Sequence, residues 1–295
     1  MSDSADSLPP RIFDDRRCGL GEGPLWHPER DELFWVDIPK QKLMARGPDG
    51  ARERNFDEMI SALGWIDRDT LLLASETGLY RLAIADWART PICPIEADNS
   101  ATRSNDGRGD PWGGFWVGTM GKKADPEAGA IYRLYRGELR RLVERMTIPN
   151  GLCFDRAREI AYFTDSALRK TWRLALDGDG WPVGDPELFL DYSDCVTTID
   201  GAIIDREGHL WCAIFDGSAV LRISPEGKLV KRFDTRTPRP TCPAFGGSDF
   251  SDLFVTTAAI GLDAPSEDAV PHGTTLCFPG IARGAAEPRF LVDAL

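Results

Sequence analysis

The stretch Arg103-Ser-Asn-Asp-Gly-Arg-Gly-Asp-Pro-Trp-Gly-Gly-Phe-Trp-Val-Gly-Thr-Met120 places several polar side chains directly before an apolar run. Asp106-Gly107 and Asp110-Pro111 are typical of turns, because glycine accepts positive φ and proline fixes φ near about −65°. The aromatic and β-branched run that begins at Phe115 is typical of a buried strand. We therefore expect a polar loop at residues 103–110, followed by a strand, so that functional groups lie at one end of a rigid sheet.

Similar apolar runs recur along the whole chain. They begin at residues 33, 71, 115, 160, 210 and 253, so that successive starts lie 38, 44, 45, 50 and 43 residues apart. After a polar turn, each run is followed by a second strand-like segment, at residues 42–46, 78–82, 129–134, 170–174, 219–223 and 273–278. No long 3.6-residue periodicity is present, so few helices are expected.

This irregular period predicts an all-β protein, a six-bladed β-propeller. The propeller should occupy residues 12–295 as one domain, preceded by a flexible N-terminal segment at residues 1–11. Two β-sandwiches are the alternative architecture, but no linker near the middle of the chain separates two such domains.

The composition excludes several classes of function. The 295-residue chain carries a formal net charge of −12, whereas nucleic acids and anionic membranes require positively charged surfaces. We expect neither as a partner. The first 17 residues resemble no signal peptide, and no stretch is long and apolar enough to span a bilayer. The seven cysteines are scattered without a Cys-x-x-Cys pair, which predicts reduced thiols and a cytoplasmic protein.

Three segments place an oxygen-bearing side chain beside glycine just before an apolar strand: Glu22-Gly23, Asn150-Gly151 and Asp200-Gly201. If these strands are the innermost ones of their blades, the three side chains emerge near the central channel at one end of the propeller. Carboxylate and carboxamide oxygens are hard ligands that suit Ca²⁺, Mg²⁺ or Mn²⁺, or a Zn²⁺ that accepts oxygen donors. An Asn-Gly or Asp-Gly pair alone often marks a simple turn. The hypothesis of a metal site therefore rests on the recurrence of such a pair at the same place in three segments.

A set of short motifs, in order along residues 18–280, resembles the gluconolactonase/regucalcin (senescence marker protein) family of six-bladed propellers. The matching stretches are Gly21-Glu-Gly-Pro-Leu-Trp26, Phe34-Trp-Val-Asp-Ile38, Arg103-Ser-Asn-Asp-Gly107, Gly118-Thr-Met120, Ile148-Pro-Asn-Gly-Leu152, Tyr162-Phe-Thr-Asp-Ser166, Asp200-Gly201, Gly208-His-Leu-Trp211, Phe245-Gly-Gly247 and Val255-Thr-Thr257.

The resemblance implies one divalent metal ion, Ca²⁺, Zn²⁺, Mn²⁺ or Mg²⁺, bound by Glu22, Asn150 and Asp200. It implies that Arg103 and Asn105 contact the substrate. The implied activity is hydrolysis of a sugar lactone, such as a glucono-, xylono- or arabinonolactone, to the aldonic acid. Either Asp200, as general base, would then take a proton from the water that attacks the carbonyl, or the metal would supply hydroxide directly.

The chain departs from the family pattern at three places. Ile199 replaces the proline that often precedes the metal-binding aspartate, Lys122-Lys123 occupy the place of a substrate-contacting carboxylate, and Pro271-His272-Gly273 replaces a Pro-x-Ala-Gly motif. The last two alter loops around the mouth of the site, so His272 is a candidate for the substrate mouth. Asp165 is expected to be structural, through hydrogen bonds to loop amides.

Three alternatives stay open from the sequence. The same metal site could hydrolyse phosphotriesters, or the chain could be a calcium-binding or scaffolding propeller without turnover. A purely structural propeller is the third alternative, for which Glu22, Asn150 and Asp200 would tolerate alanine without a change in metal content. The sequence leaves the oligomeric state open.

Overall fold

All regular elements in the part of the chain that the structure describes are β-strands. This computed structural model describes residues 9–264 and 270–292. The first twelve strands are β1 (Arg11–Asp14), β2 (Gly21–His27), β3 (Glu32–Asp37), β4 (Lys42–Gly47), β5 (Gly50–Asn55), β6 (Ile60–Asp67), β7 (Thr70–Ser75), β8 (Gly78–Ala83), β9 (Arg89–Pro94), β10 (Thr102–Gly109), β11 (Phe115–Gly121) and β12 (Gly129–Tyr135). The others are β13 (Glu138–Met146), β14 (Pro149–Asp155), β15 (Ile160–Asp165), β16 (Lys170–Ala175), β17 (Glu187–Asp191), β18 (Thr198–Ile204), β19 (Leu210–Phe215), β20 (Ala219–Ile223), β21 (Leu229–Asp234), β22 (Pro240–Gly246), β23 (Asp252–Thr257) and β24 (Thr275–Phe278).

These strands form six four-stranded antiparallel sheets, the blades of a propeller, which confirms the predicted fold. Blades one to five are β2–β5, β6–β9, β10–β13, β14–β17 and β18–β21, each in chain order. The first strand of each blade lies innermost and contacts the innermost strand of the next blade, so the six close a ring around a central channel. None of the described segments forms a helix long and apolar enough to span a membrane.

The sixth blade joins the two ends of the chain. Its order is β22, β23, β24 and then β1, so a strand from the N-terminus forms the outer edge of the last blade. Arg11 pairs with Cys277 in this sheet. Arg11 was predicted to belong to the flexible segment, but its pairing with β24 makes it the first residue of the propeller. Residues 1–8 of that segment lie outside the described residues.

Of residues 103–110, predicted as a polar loop, residues 103–109 form a strand instead. They belong to β10, the innermost strand of blade three, and Asp106-Gly107 lies within this strand rather than at a turn. The prediction failed because an innermost strand turns one face to the channel, where polar side chains are retained without being exposed on the surface. The turn predicted at Asp110-Pro111 is present, since the Gly113 amide donates to the Asp110 carbonyl at 3.0 Å.

Every innermost strand carries an extra residue near its start relative to its partner strand, which is a β-bulge. The irregularities lie between Glu22 and Leu25, Ile60 and Ala62, Ser104 and Gly107, Asn150 and Cys153, Ile199 and Ala202, and Pro240 and Pro243. A bulge bends the strand and redirects the side chains beside it. The six bulges lie near the start of each innermost strand, so they redirect side chains at one end of the channel.

The C-terminal segment after β24 crosses the other end of the channel. Leu291 donates its amide to the Gly113 carbonyl at 2.9 Å and Phe290 to the Trp65 carbonyl at 2.9 Å, which joins blades three and two. The carboxylate of Glu287 in this segment forms an ion pair with the guanidinium of Arg108 on β10, and both side chains are buried. The segment therefore connects separate blades through a buried charge pair.

We expect Glu287→Ala to destabilise the propeller strongly. The substitution leaves the buried Arg108 guanidinium without its anion, and removal of one partner of a buried ion pair costs about 3–5 kcal/mol. Urea denaturation of the variant should show this loss in the free energy of unfolding. Glu138→Ala is the matched control, because Glu138 pairs with Arg140 on the exposed surface and exposed pairs contribute little. Equal stability of Glu287→Ala and Glu138→Ala would contradict this role of the C-terminal segment.

Candidate functional site

A cavity of about 230 Å³ opens at the bulged end of the channel. All five residues that the sequence singled out line it: Glu22, Arg103, Asn105, Asn150 and Asp200. They come from four innermost strands, β2, β10, β14 and β18, so residues far apart in the chain converge only because the propeller closes.

A chain of hydrogen bonds crosses the floor of this cavity from blade three to blade five. Arg103 Nη1 donates to Asn105 Oδ1 at 2.8 Å, and Asn105 Nδ2 donates to Asn150 Oδ1 at 2.9 Å. Asn150 Nδ2 donates to Ser166 Oγ at 2.9 Å, and Ser166 Oγ donates to the Ile199 carbonyl at 2.6 Å. We call these five residues the relay. Its last residue directly precedes Asp200.

The two carboxylates of the cavity lack cationic partners at contact distance. Asp200 accepts no hydrogen bond from any described residue, and Glu22 accepts one, from the Gly23 amide at 3.3 Å. Burial, followed by the negative charges of Asp200 and Asp106, raises the pKa of Glu22 well above its ordinary value. Burial and then the charge of Asp106 raise the pKa of Asp200, against the opposing effect of Arg103. Two buried carboxylates therefore share this cavity, opposed only by the more distant charge of Arg103.

This donor set fits a divalent cation. Glu22 and Asp200 offer carboxylate oxygens, and Asn150 Oδ1 accepts one hydrogen bond and keeps a second lone pair. Hard divalent ions prefer oxygen ligands of these kinds, and a cation would offset the electrostatic cost of two unpaired buried anions.

Two aspartates hold the loops that lead into the strands of Glu22 and Asn150. Asp37 accepts hydrogen bonds from the amides of Gly19 at 2.8 Å and Leu20 at 3.2 Å, just before Glu22. Asp165 accepts the amide of Thr147 at 2.7 Å and three further amides of the adjacent loops. The structural role predicted for Asp165 is thereby confirmed.

The bulge of β14 is held by a buried carboxylate on the neighbouring strand. Asp106 Oδ2 accepts the Leu152 amide at 2.8 Å, and Asp106 Oδ1 accepts the Gly107 amide at 2.8 Å. Gly151, between Asn150 and Leu152, has a φ of 63°, a conformation that glycine adopts without strain. Asp106 thus fixes the backbone on which Asn150 is mounted.

Sequence reasoning missed the remaining wall of the cavity. Ser166 and Thr198 add hydroxyls, and five apolar side chains, Leu20, Met120, Ile148, Phe215 and Ile260, form the rest. Ser166 was visible only as the last residue of a motif, next to Asp165. The apolar residues come from strand ends and loops whose positions no local pattern reveals.

Lys122 and His272, from two loops that depart from the family pattern, do not line the cavity. Lys122 Nζ pairs with Glu76 Oε2 at 2.5 Å. His272 is buried, with its Nδ1 3.1 Å from Thr237 Oγ1. The prediction that His272 lines the substrate mouth is therefore not supported by its contacts.

A second cluster of potential ligands, Asp205, Glu207 and His209, lies beyond the far end of β18. Arg222 Nη2 already occupies this cluster, at 2.8 Å from Asp205 Oδ2, 2.6 Å from Glu207 Oε2 and 3.1 Å from His209 Nδ1. A bound guanidinium neutralises the carboxylates, so this cluster is a poorer cation site than the cavity.

Comparison with known proteins gives a consistent picture. Residues 20–259 match the family model described as SMP-30/gluconolactonase/LRE-like region. The chain is 36% identical over 246 residues to the pentonolactonase XacC of Haloferax volcanii, with 83% of each chain covered. It is 32% identical over 278 residues to a 6-deoxy-6-sulfogluconolactonase of Pseudomonas putida, covering 92% of this chain and 94% of that one.

A solved structure is similar over nearly the whole fold. The crystal structure of regucalcin from Agrobacterium tumefaciens, described as a calcium-binding protein, superposes with a TM-score of 0.92 at 34% identity. The match covers 95% of this chain and 97% of that one.

We expect the metal-free protein to lose stability as the pH rises. Glu22 and Asp200 have pKa values above those of the unfolded chain, so the folded state holds their protons more tightly. The stability that this provides is complete below the ordinary carboxyl pKa and is lost as the pH rises through the folded-state values. Calorimetry in chelator between pH 5 and pH 8 should show this decline.

Asp200→Asn should remove part of this decline. Without its uncompensated anion, the metal-free variant should be more stable than the parent at pH 8, by on the order of 1 kcal/mol or more. Asp98→Asn, at an exposed position, is the control and should follow the parent. A destabilised Asp200→Asn variant at pH 8 in chelator would contradict the unpaired-anion interpretation.

Proposed function

Because the chain belongs to the SMP-30/gluconolactonase/LRE-like family, we propose that it is a metal-dependent lactonase that hydrolyses a sugar lactone to the aldonic acid. One observation carries the proposal: two unpaired carboxylates, a carboxamide oxygen and an arginine share one cavity at the end of the channel. The names of two relatives, a pentonolactonase and a 6-deoxy-6-sulfogluconolactonase, support the same reaction class.

In this proposal, Glu22, Asn150 and Asp200 hold one divalent ion. Ca²⁺, Mn²⁺, Mg²⁺ and Zn²⁺ all accept such oxygen donors, and the description of the Agrobacterium regucalcin as calcium-binding favours testing Ca²⁺ among them. When bound, the ion would supply Lewis-acid polarisation of the lactone carbonyl.

Asp200 is the proposed general base. The oxygen of the attacking water forms a bond to the carbonyl carbon while Asp200 takes a proton from that water. The bond between this carbon and the ring oxygen then breaks, and the proton passes from Asp200 to the ring oxygen, which leaves as a hydroxyl group. Asp200 lines the cavity and accepts no hydrogen bond from a described residue, so its carboxylate oxygens are free to take and return this proton.

Arg103 is the proposed anchor for the substrate. Its Nη1 donates hydrogen bonds to the Ser104 carbonyl and to Asn105 Oδ1, each at 2.8 Å. Its Nε and Nη2 have no hydrogen-bond partner among the described residues. Those two groups can therefore donate in parallel to oxygen atoms of a substrate. Asn105 was predicted to contact substrate directly, but both hydrogens of its Nδ2 are already donated, to Asn150 Oδ1 and the Pro149 carbonyl. We propose that any contact of Asn105 with substrate uses its oxygen.

The substrate is proposed to be a single-ring aldonolactone, such as a glucono-, xylono- or arabinonolactone. The cavity is small, and its lining includes apolar side chains, among them Met120, Phe215 and Ile260. Apolar side chains of this kind suit the C–H groups of a sugar ring, while the polar groups of the cavity suit its hydroxyls.

A second candidate is a calcium-binding propeller without turnover. The description of the Agrobacterium regucalcin favours it, because that protein resembles this chain over almost its entire length. The two candidates share the ion site and differ only in whether bound lactone is opened.

We expect chelator-treated protein to open no aldonolactone until a divalent ion is returned. Proton release should be followed for glucono-, xylono- and arabinonolactone, with Ca²⁺, Mn²⁺, Mg²⁺ and Zn²⁺ added singly. Asp200→Ala should lower kcat/KM by at least about 100-fold, since general-base catalysis typically contributes about 10²–10⁴-fold.

Asp98→Ala, at the exposed surface, should retain full activity and serves as the control. Binding of an ion without acceleration over buffer for any lactone would support the calcium-binding candidate instead. Acceleration confined to a phosphotriester substrate would change the proposed substrate class.

A further inference from the structure

We propose that Ser166 is a positioning residue that holds the Asn150 side chain with its oxygen towards the metal ion. The inference rests on the proposed metal site and concerns a residue outside the ligand set. It follows from the direction of the hydrogen bonds in the relay.

Each end of the relay can take part in a hydrogen bond in only one role, as donor or as acceptor. An arginine guanidinium can only donate, and the Ile199 carbonyl can only accept. A serine hydroxyl has one hydrogen, and Ser166 gives it to the Ile199 carbonyl at 2.6 Å. Ser166 Oγ must therefore accept from Asn150, which places Asn150 Nδ2, rather than its oxygen, on the Ser166 side.

The same conclusion follows from the opposite end. Arg103 Nη1 donates to Asn105 at 2.8 Å, so the acceptor atom of Asn105 is its oxygen. The nitrogen of Asn105 then donates to Asn150 at 2.9 Å, so the atom of Asn150 on that side is its oxygen. The two ends agree, and the orientation of both amides is determined by the network.

Ser166 is itself held firmly in place. Its side chain is buried, its amide donates to the Ile148 carbonyl at 3.0 Å, and its carbonyl accepts Thr198 Oγ1 at 2.9 Å. These bonds connect the loop before β14 to the start of β18. The hydroxyl of Ser166 therefore links the strand of one proposed ligand, Asn150, to the residue before another, Asp200.

Loss of the hydroxyl should act on metal affinity. In Ser166→Ala, Asn150 Nδ2 loses its buried acceptor, so one of the two hydrogen bonds that orient the amide is gone and only the bond from Asn105 Nδ2 still holds its oxygen. Substitution of a residue that orients a metal ligand typically weakens metal binding by about 10–100-fold.

The test is titration of chelator-treated protein with Mn²⁺, with free ion measured by electron paramagnetic resonance, and with Ca²⁺ by calorimetry. We expect Ser166→Ala to raise the Kd of both ions about 10–100-fold. Ser166→Thr keeps a hydroxyl and should bind within about threefold of the parent. Thr171→Val is the matched control, because it removes another buried hydroxyl of blade four, 2.7 Å from Thr164 Oγ1 and outside the cavity, and should leave both Kd values unchanged.

The outcomes separate the inference from the proposed function. Parent-like affinity in folded Ser166→Ala would overturn the inference, as would an equal loss in Thr171→Val. If Ser166→Ala does not fold, Ser166→Cys keeps the volume with a weaker acceptor and should also weaken binding, and parent-like affinity there would overturn the inference. A parent protein that binds neither ion would overturn the proposed function and this inference together, whereas parent binding with an unaffected Ser166→Ala would overturn the inference alone.

Discussion

The structure depends on one constraint: six innermost strands must close around a channel while polar side chains still face it. A regular strand alternates its side chains strictly between two faces. The extra residue in each innermost strand breaks this alternation at one end of the channel, where Glu22, Asn150 and Asp200 lie at or beside the bulges. The rest of the fold holds those bulges in place: Asp37 and Asp165 secure the entering loops, and Asp106 secures the backbone after Asn150.

The two ends of the channel deal with buried charge in opposite ways. At the far end, the C-terminal segment places Glu287 against Arg108, so each buried ion has its counter-ion within the chain. At the cavity end, Glu22 and Asp200 have no cationic partner at contact distance, and burial together with neighbouring negative charge raises their pKa values. This contrast supports the proposal that the cavity end is the functional end, because perturbed carboxyl groups cluster at functional sites.

Much of the architecture could be predicted from the chain, and the failures are informative. Six apolar runs at irregular spacing were sufficient to predict six blades, because each blade repeats the same order of strands and turns. Residues 103–109 were mistaken for a loop because their polarity was attributed to solvent, whereas the channel supplies the polar environment. The pairing of β1 with β24 and the contact of Glu287 with Arg108 were not foreseen, because each joins residues more than 170 positions apart and leaves no local pattern.

The sequence by itself determined the repeat, the strand-forming segments and the residues whose side chains could bind a metal ion or a substrate, since these depend on local composition and spacing. It also nominated Glu22, Arg103, Asn105, Asn150 and Asp200, which the structure places around one cavity. Only the tertiary structure decided how these side chains are held, which groups remain free, and which neighbours orient them. Ser166 illustrates the difference: its role depends on a hydrogen bond to the Ile199 carbonyl, 33 residues away in a different blade. The direction of a hydrogen bond depends on which donors and acceptors lie nearby in the folded protein, so no pattern of residue types in the sequence could have predicted it.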